Sequence, residues 1–228
     1  MKELVIIGES HTRSFAFRQN ISAFFIGNGK EINLEKSNTD NIQRKLNKIL
    51  ENFNGDEVIT FIYFGEPNCR WQLKQHWTPH WDEIRHNERI QPVVKEKYLN
   101  KCIRNYEEMD LDKVDYIITP TSAYDTTNPA LKFFNDRLKE TFGDKVIDIF
   151  TDSVEDLKTK NEFKSDRWKK DPIHLNSNIS NVFLSKLKER GIINDISVYD
   201  LTLDGGFDTH YVRNNKFEKS RFGSFIIP

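Results

Sequence analysis

Five short apolar runs, separated by helical stripes, constrain this chain more than anything else in it. They are Leu4–Ile7, Ala23–Ile26, Val58–Phe64, Tyr116–Thr119 and Val146–Phe150. Gly8, Gly27, Gly65 and Pro120 close the first four. A run that is apolar on both alternating faces reads as a strand covered on both sides, as in a parallel sheet. Between the runs, apolar residues recur at helical spacing. Ile42, Leu46, Ile49, Leu50 and Phe53 make one stripe, and Val94, Tyr98, Cys102 and Ile103 a second within Pro92–Met109. Leu131, Phe134, Leu138 and Phe142 make a third, and Ile179, Val182, Phe183 and Leu187 a fourth within Ser177–Arg190. Strands alternating with helices predict βαβ units, hence an α/β fold with a parallel sheet and helices on both faces.

The pattern lapses twice. From Glu66 to Gln91 it gives way to a segment holding Trp71, Trp77 and Trp81 with His76, His80 and His86. So many aromatics predict an ordered loop inserted at the carboxyl edge of the sheet. Residues 192–228 carry scattered aromatics and Gly205-Gly206. The expected organisation is one domain over 1–191 with the 66–91 insertion. The 192–228 extension then adds an edge strand, wraps the body, or docks on a partner, including a second copy of the chain.

Charge excludes two classes of partner. Lys plus Arg number 34 and Asp plus Glu 35, so no basic footprint for nucleic acid or an acidic membrane surface is expected. No apolar run is long enough to cross a bilayer. Two cysteines, Cys69 and Cys102, do not make a disulfide framework and read as reduced thiols. The chain opens on a core strand after Met1-Lys2-Glu3, without the features of a secretory leader. The expected location is cytoplasmic.

The first run ends in Gly8-Glu9-Ser10-His11, with Thr12–Arg18 able to start a helix. Ser10 would then sit at the carboxyl end of a central strand, the edge where open α/β sheets bind ligands. It could equally serve only as a helix cap, and this stretch alone leaves both readings open. A serine hydroxyl becomes a nucleophile when an imidazole takes its proton and a carboxylate orients the imidazole. Asp171 and His174, three apart before the last helix, are the candidates for that pair. Oxyanion donors would be the Ser10 N–H, the Asn68 side-chain amide, and an N–H of Gly27 or Gly29.

With these residues in view, the chain resembles the SGNH (GDSL-like) hydrolase superfamily. Gly8-Glu9-Ser10-His11 is similar to the first block of that family and Asp171-Pro172-Ile173-His174 to its last. Gly65-Glu66-Pro67-Asn68-Cys69-Arg70 is similar to the third block of bacterial members tied to polysaccharide modification. Glu9 stands where the family usually has Asp, and Asn68 follows Gly65 by three residues rather than two. The resemblance spans about residues 3–190. It implies a three-layer, flavodoxin-like sandwich around a five-stranded parallel sheet. It also implies ester hydrolysis or acyl transfer with no metal or organic cofactor. In these roles Ser10 is nucleophile, His174 base, Asp171 its orienter and Asn68 an oxyanion donor. The implied substrate is a small-molecule or glycan ester, in particular an acetylated carbohydrate.

Other residues carry weaker signals. Glu66 and Arg70 either contact substrate or pair with each other. Trp77 and Trp81 either stack on sugar rings or pack the insertion. His76, His80 and His86 lack zinc-site spacing, because Pro79 interrupts any helix that would align them. His11 reads as a turn residue, and Cys69 has no basic group assigned to it. The alternative to an esterase is a catalytically inactive glycan- or protein-binding module on the same fold.

Overall fold

The computed structural model describes residues 1–16, 18–27, 34–53, 55, 57–71, 94–122, 128–151, 179–200, 209–213 and 216–219. Strands β1 (Glu3–Gly8), β2 (Ile21–Phe25), β3 (Val58–Tyr63), β4 (Tyr116–Ile118) and β5 (Val146–Ile147) are all parallel. Their order is β5-β4-β3-β1-β2, the flavodoxin-like arrangement. The tail adds two strands beyond β2. β6 (Thr209–Arg213) pairs parallel with β2, and β7 (Lys216–Lys219) pairs antiparallel with β6, so the described sheet has seven strands. Of the roles open to the tail, an edge addition is therefore seen.

The side chains of β1 divide the core in two. Leu4, Val5, Ile6 and Ile7 are all 0 % exposed. Alternate residues of a strand face opposite ways. Val5 and Ile7 join one cluster with α1 (Lys36–Leu50), α3 (Glu96–Glu107) and α4 (Asn128–Phe142). Leu4 and Ile6 join the other, with Phe15 and with Phe183, Leu184 and Leu187 of α5 (Ile179–Glu189). Helices therefore cover both faces. Each fully buried aliphatic side chain contributes roughly 1.5–3 kcal/mol.

Three local expectations are corrected. Thr12–Arg18 does not found an α-helix; Ser10–Phe15 is a 3-10 run. It forms the crossover from β1 to β2, near the minimum length for a parallel connection, which leaves no room for several helical turns. Val146–Phe150 is not strand throughout. After Ile147 the Thr119 hydroxyl takes the N–H groups of Ile149 (2.9 Å) and Phe150 (3.1 Å), ending the ladder. The insertion begins as a helix, α2 (Glu66–Trp71), rather than a loop. The rest of it, to Gln91, lies outside the described residues.

Candidate active site

The site is built where two strand ends meet. Chain order runs from β1 outward to β2, then back across to β3, so the gap between the carboxyl ends of β1 and β3 is the topological switch point. Ligands bind open α/β sheets in such crevices. Gly8 pairs with Tyr63 there. A Cβ on Gly8 would fall 2.2 Å from the Tyr63 carbonyl oxygen, so only glycine permits the approach. Gly65 lies across the gap with φ +122°, its α-carbon against the Phe134 ring.

The turn after Gly8 is held by its backbone. The Gly8 carbonyl accepts the Ile26 N–H at 3.0 Å, and the Glu9 N–H donates to the Tyr63 carbonyl at 3.3 Å. The Glu9 carbonyl accepts both the Thr12 N–H (3.0 Å) and the Thr12 hydroxyl (2.7 Å). Arg13 Nε donates to the Ser10 carbonyl at 2.9 Å. In this turn Ser10 is half-buried, while its neighbours Glu9 and His11 are buried.

Those neighbours meet the head of α2. His11 Nδ1 lies 3.5 Å from Glu9 Oε1 and 3.9 Å from Glu66 Oε2. Glu66 is 0 % exposed and pairs with Arg70, whose Nε donates to both carboxylate oxygens at 2.9 and 3.2 Å. The His11 ring stands edge-on to Tyr63, 6.2 Å between centroids. Neither Glu9 oxygen accepts a hydrogen bond among the described residues. Burial pushes the Glu9 carboxyl up to about 7; Glu66 adds to the rise, and His11 and Arg70 oppose it. Glu9, His11 and Glu66 each offer a metal-type ligand atom, all within 4.8 Å of one another.

His11 lies in the turn after β1, as expected, and is also buried against Glu9 and Glu66. Of the two readings open to Glu66 and Arg70, their pairing is seen. Asn68 is a core residue. Its Oδ1 accepts the Leu34 N–H (3.1 Å), and its Nδ2 donates to Tyr98 Oη (3.1 Å) and Cys102 Sγ (3.4 Å). An amide committed this way does not point at an oxyanion. Gly27 is buried just past the end of β2. Cys69 is fully buried and its thiol pushed well up by burial, the opposite of an activated nucleophile. Gly29, Trp77, Trp81, Asp171 and His174 lie outside the described residues, as do His76, His80 and His86.

One contact was not anticipated from sequence. Arg18 is buried at the end of the first crossover. Its Nε donates to Ser180 Oγ (2.6 Å), its Nη1 to the Tyr199 carbonyl (3.0 Å), and its Nη2 to Asn181 Oδ1. It thereby ties the segment that carries Ser10 to the first turn of α5. Nothing in spacing marks such an arginine, since its partners come from the far end of the chain.

No protein-family model matches the chain, and no curated protein matches it. Among solved structures it is similar to the crystal structure of the lipase Lip_vut3 from goat rumen metagenome. The two are 17% identical, with a TM-score of 0.47, over 84% of this chain and 98% of that one.

Proposed function

We propose that this chain is a serine esterase or O-acyltransferase of SGNH type. The observation that carries the reading is the placement of Ser10, half-buried at the switch point between two buried ionisable residues. In this reading Ser10 Oγ attacks an ester carbonyl and His174 takes its proton. Asp171 fixes the imidazole tautomer and stabilises the charged ring. The Ser10 N–H and an N–H of Gly27 or Gly29 receive the developing oxyanion, each donor worth roughly 100- to 1000-fold in rate. The acyl-enzyme passes its acyl group to water or to a sugar hydroxyl. The substrate is an acylated, in particular acetylated, carbohydrate, a choice supported by the resemblance of Gly65–Arg70 to the third block of polysaccharide-modifying members.

The test is turnover of acetylated sugars by wild type and Ser10→Ala. The variant is expected to lose at least about 1000-fold in rate with an unchanged circular dichroism spectrum. A wild-type rate in Ser10→Ala ends the proposal.

A second reading is favoured by the commitment of Asn68 to the core. A binding module without turnover would hold glycans in wild type and Ser10→Ala alike. Affinity lost in Trp77→Ala or Trp81→Ala would support stacking on sugar rings, and unchanged affinity in both would remove it.

A further inference from the structure

Two stretches far apart in sequence meet along one seam. The crossover from β1 to β2 carries Ser10, and parts of residues 179–200 lie against it. Phe15 stands edge-on to Phe183 of α5, 5.2 Å between centroids. The Gln19 N–H donates to the Asp200 carbonyl at 3.0 Å, and Asn20 Nδ2 to the Val198 carbonyl at 2.6 Å. Tyr199 Oη donates to the Lys2 carbonyl at 2.8 Å, one residue before β1 begins. Arg18 joins the two stretches and is 6 % exposed. Its fork takes the Ser180 hydroxyl and the Asn181 amide oxygen in the first turn of α5, and the Tyr199 carbonyl beyond the end of that helix.

Stability does not explain an arginine at this place. Burying a guanidinium is costly, and a cation at the amino end of a helix faces the positive end of its dipole. The three acceptors are a hydroxyl, an amide and a carbonyl, all neutral. An apolar side chain of similar volume would close the seam at less cost. What arginine supplies is a rigid planar fork that fixes several acceptors at once; lysine keeps the charge without the fork. His174 precedes Ile179, the first residue of α5, by five residues, a span of at most about 18 Å. The start of α5 therefore limits where His174 can be. We propose that Arg18 is a positioning residue: by fixing the first turn of α5 against the Ser10 crossover, it sets the separation at which His174 meets the Ser10 hydroxyl. The role rests on the esterase reading, in which His174 is the base. A base displaced by about 1 Å can cost roughly 100-fold in rate.

The experiment follows fluorophosphonate labelling of the full chain by intact mass in wild type and Arg18→Lys. Several reagent concentrations separate the maximal labelling rate from reagent binding. Circular dichroism gives the folded fraction. Arg18→Lys should lower the maximal rate per folded molecule at least about tenfold, with the half-saturating concentration unchanged to within about twofold. A seam that served stability alone would lower the folded fraction or the thermal midpoint and leave that rate at the wild-type value. A wild-type maximal rate in folded Arg18→Lys overturns the proposal. So does an effect confined to the half-saturating concentration. If Arg18→Lys does not fold, Asn181→Ala decides, since it removes one acceptor from an exposed position of α5. It must lower the maximal rate at least about twofold; an unchanged rate overturns the proposal. Labelled wild type with unchanged variants removes the role of Arg18 alone. Folded wild type that takes no label removes the esterase reading and this role with it.

Discussion

Two acidic side chains at the same edge of the sheet behave in opposite ways. Glu9 follows β1 and Asp148 follows β5. Burial raises both, but Asp148 meets enough donors to finish below its ordinary range, chiefly the Lys139 ammonium at 3.0 Å and then Thr151. Its Oδ1 also accepts the Phe150 N–H at 3.0 Å. Glu9 is more deeply buried, has no hydrogen bond to its oxygens among the described residues, and is pushed up. Asp148, so satisfied, closes the end of β5. Glu9, beside the His11 imidazole, is raised instead, and groups with perturbed titration concentrate at functional sites. The two strand ends thus differ in how a buried carboxyl is satisfied.

The most severe test of that contrast removes the acid that balances Arg70. Glu66→Ala should destabilise by about 3–5 kcal/mol in chemical denaturation, because it removes the carboxylate of a largely buried ion pair. A loss under about 1 kcal/mol would mean the pair is solvated and the cluster is not closed. At the other strand end the effect should be smaller and opposite in its pH trend. Asp148→Asn should cost about 1 kcal/mol at neutral pH, since Lys139 is 39 % exposed and water screens the pair. Asp148 is held below 3.8, so that cost should persist above pH 4 and disappear as acid protonates the wild-type carboxyl. If Asp148→Asn instead narrows the gap to wild type as pH rises from 5 to 8, the two strand ends do not differ as described.

What was legible in the sequence follows from how local the cause is. Leu4–Ile7 reads as a buried strand because both its faces are covered, which its composition records directly. The switch-point position of Ser10 follows from the order of strands and helices. The approach of His11 to Glu66 is not legible, because it requires Gly8 to pair with Tyr63, a register that no spacing announces. Asn68 matched a motif yet serves the core, because Leu34, Tyr98 and Cys102 come from elements far along the chain. The early end of β5 depends on one hydroxyl, Thr119, on the neighbouring strand.

The central claim is that Ser10 is an activated nucleophile, and intact-mass analysis after fluorophosphonate treatment tests it most directly. The account predicts one adduct on the wild-type chain and none on Ser10→Ala. A folded wild-type chain that takes no adduct would contradict it.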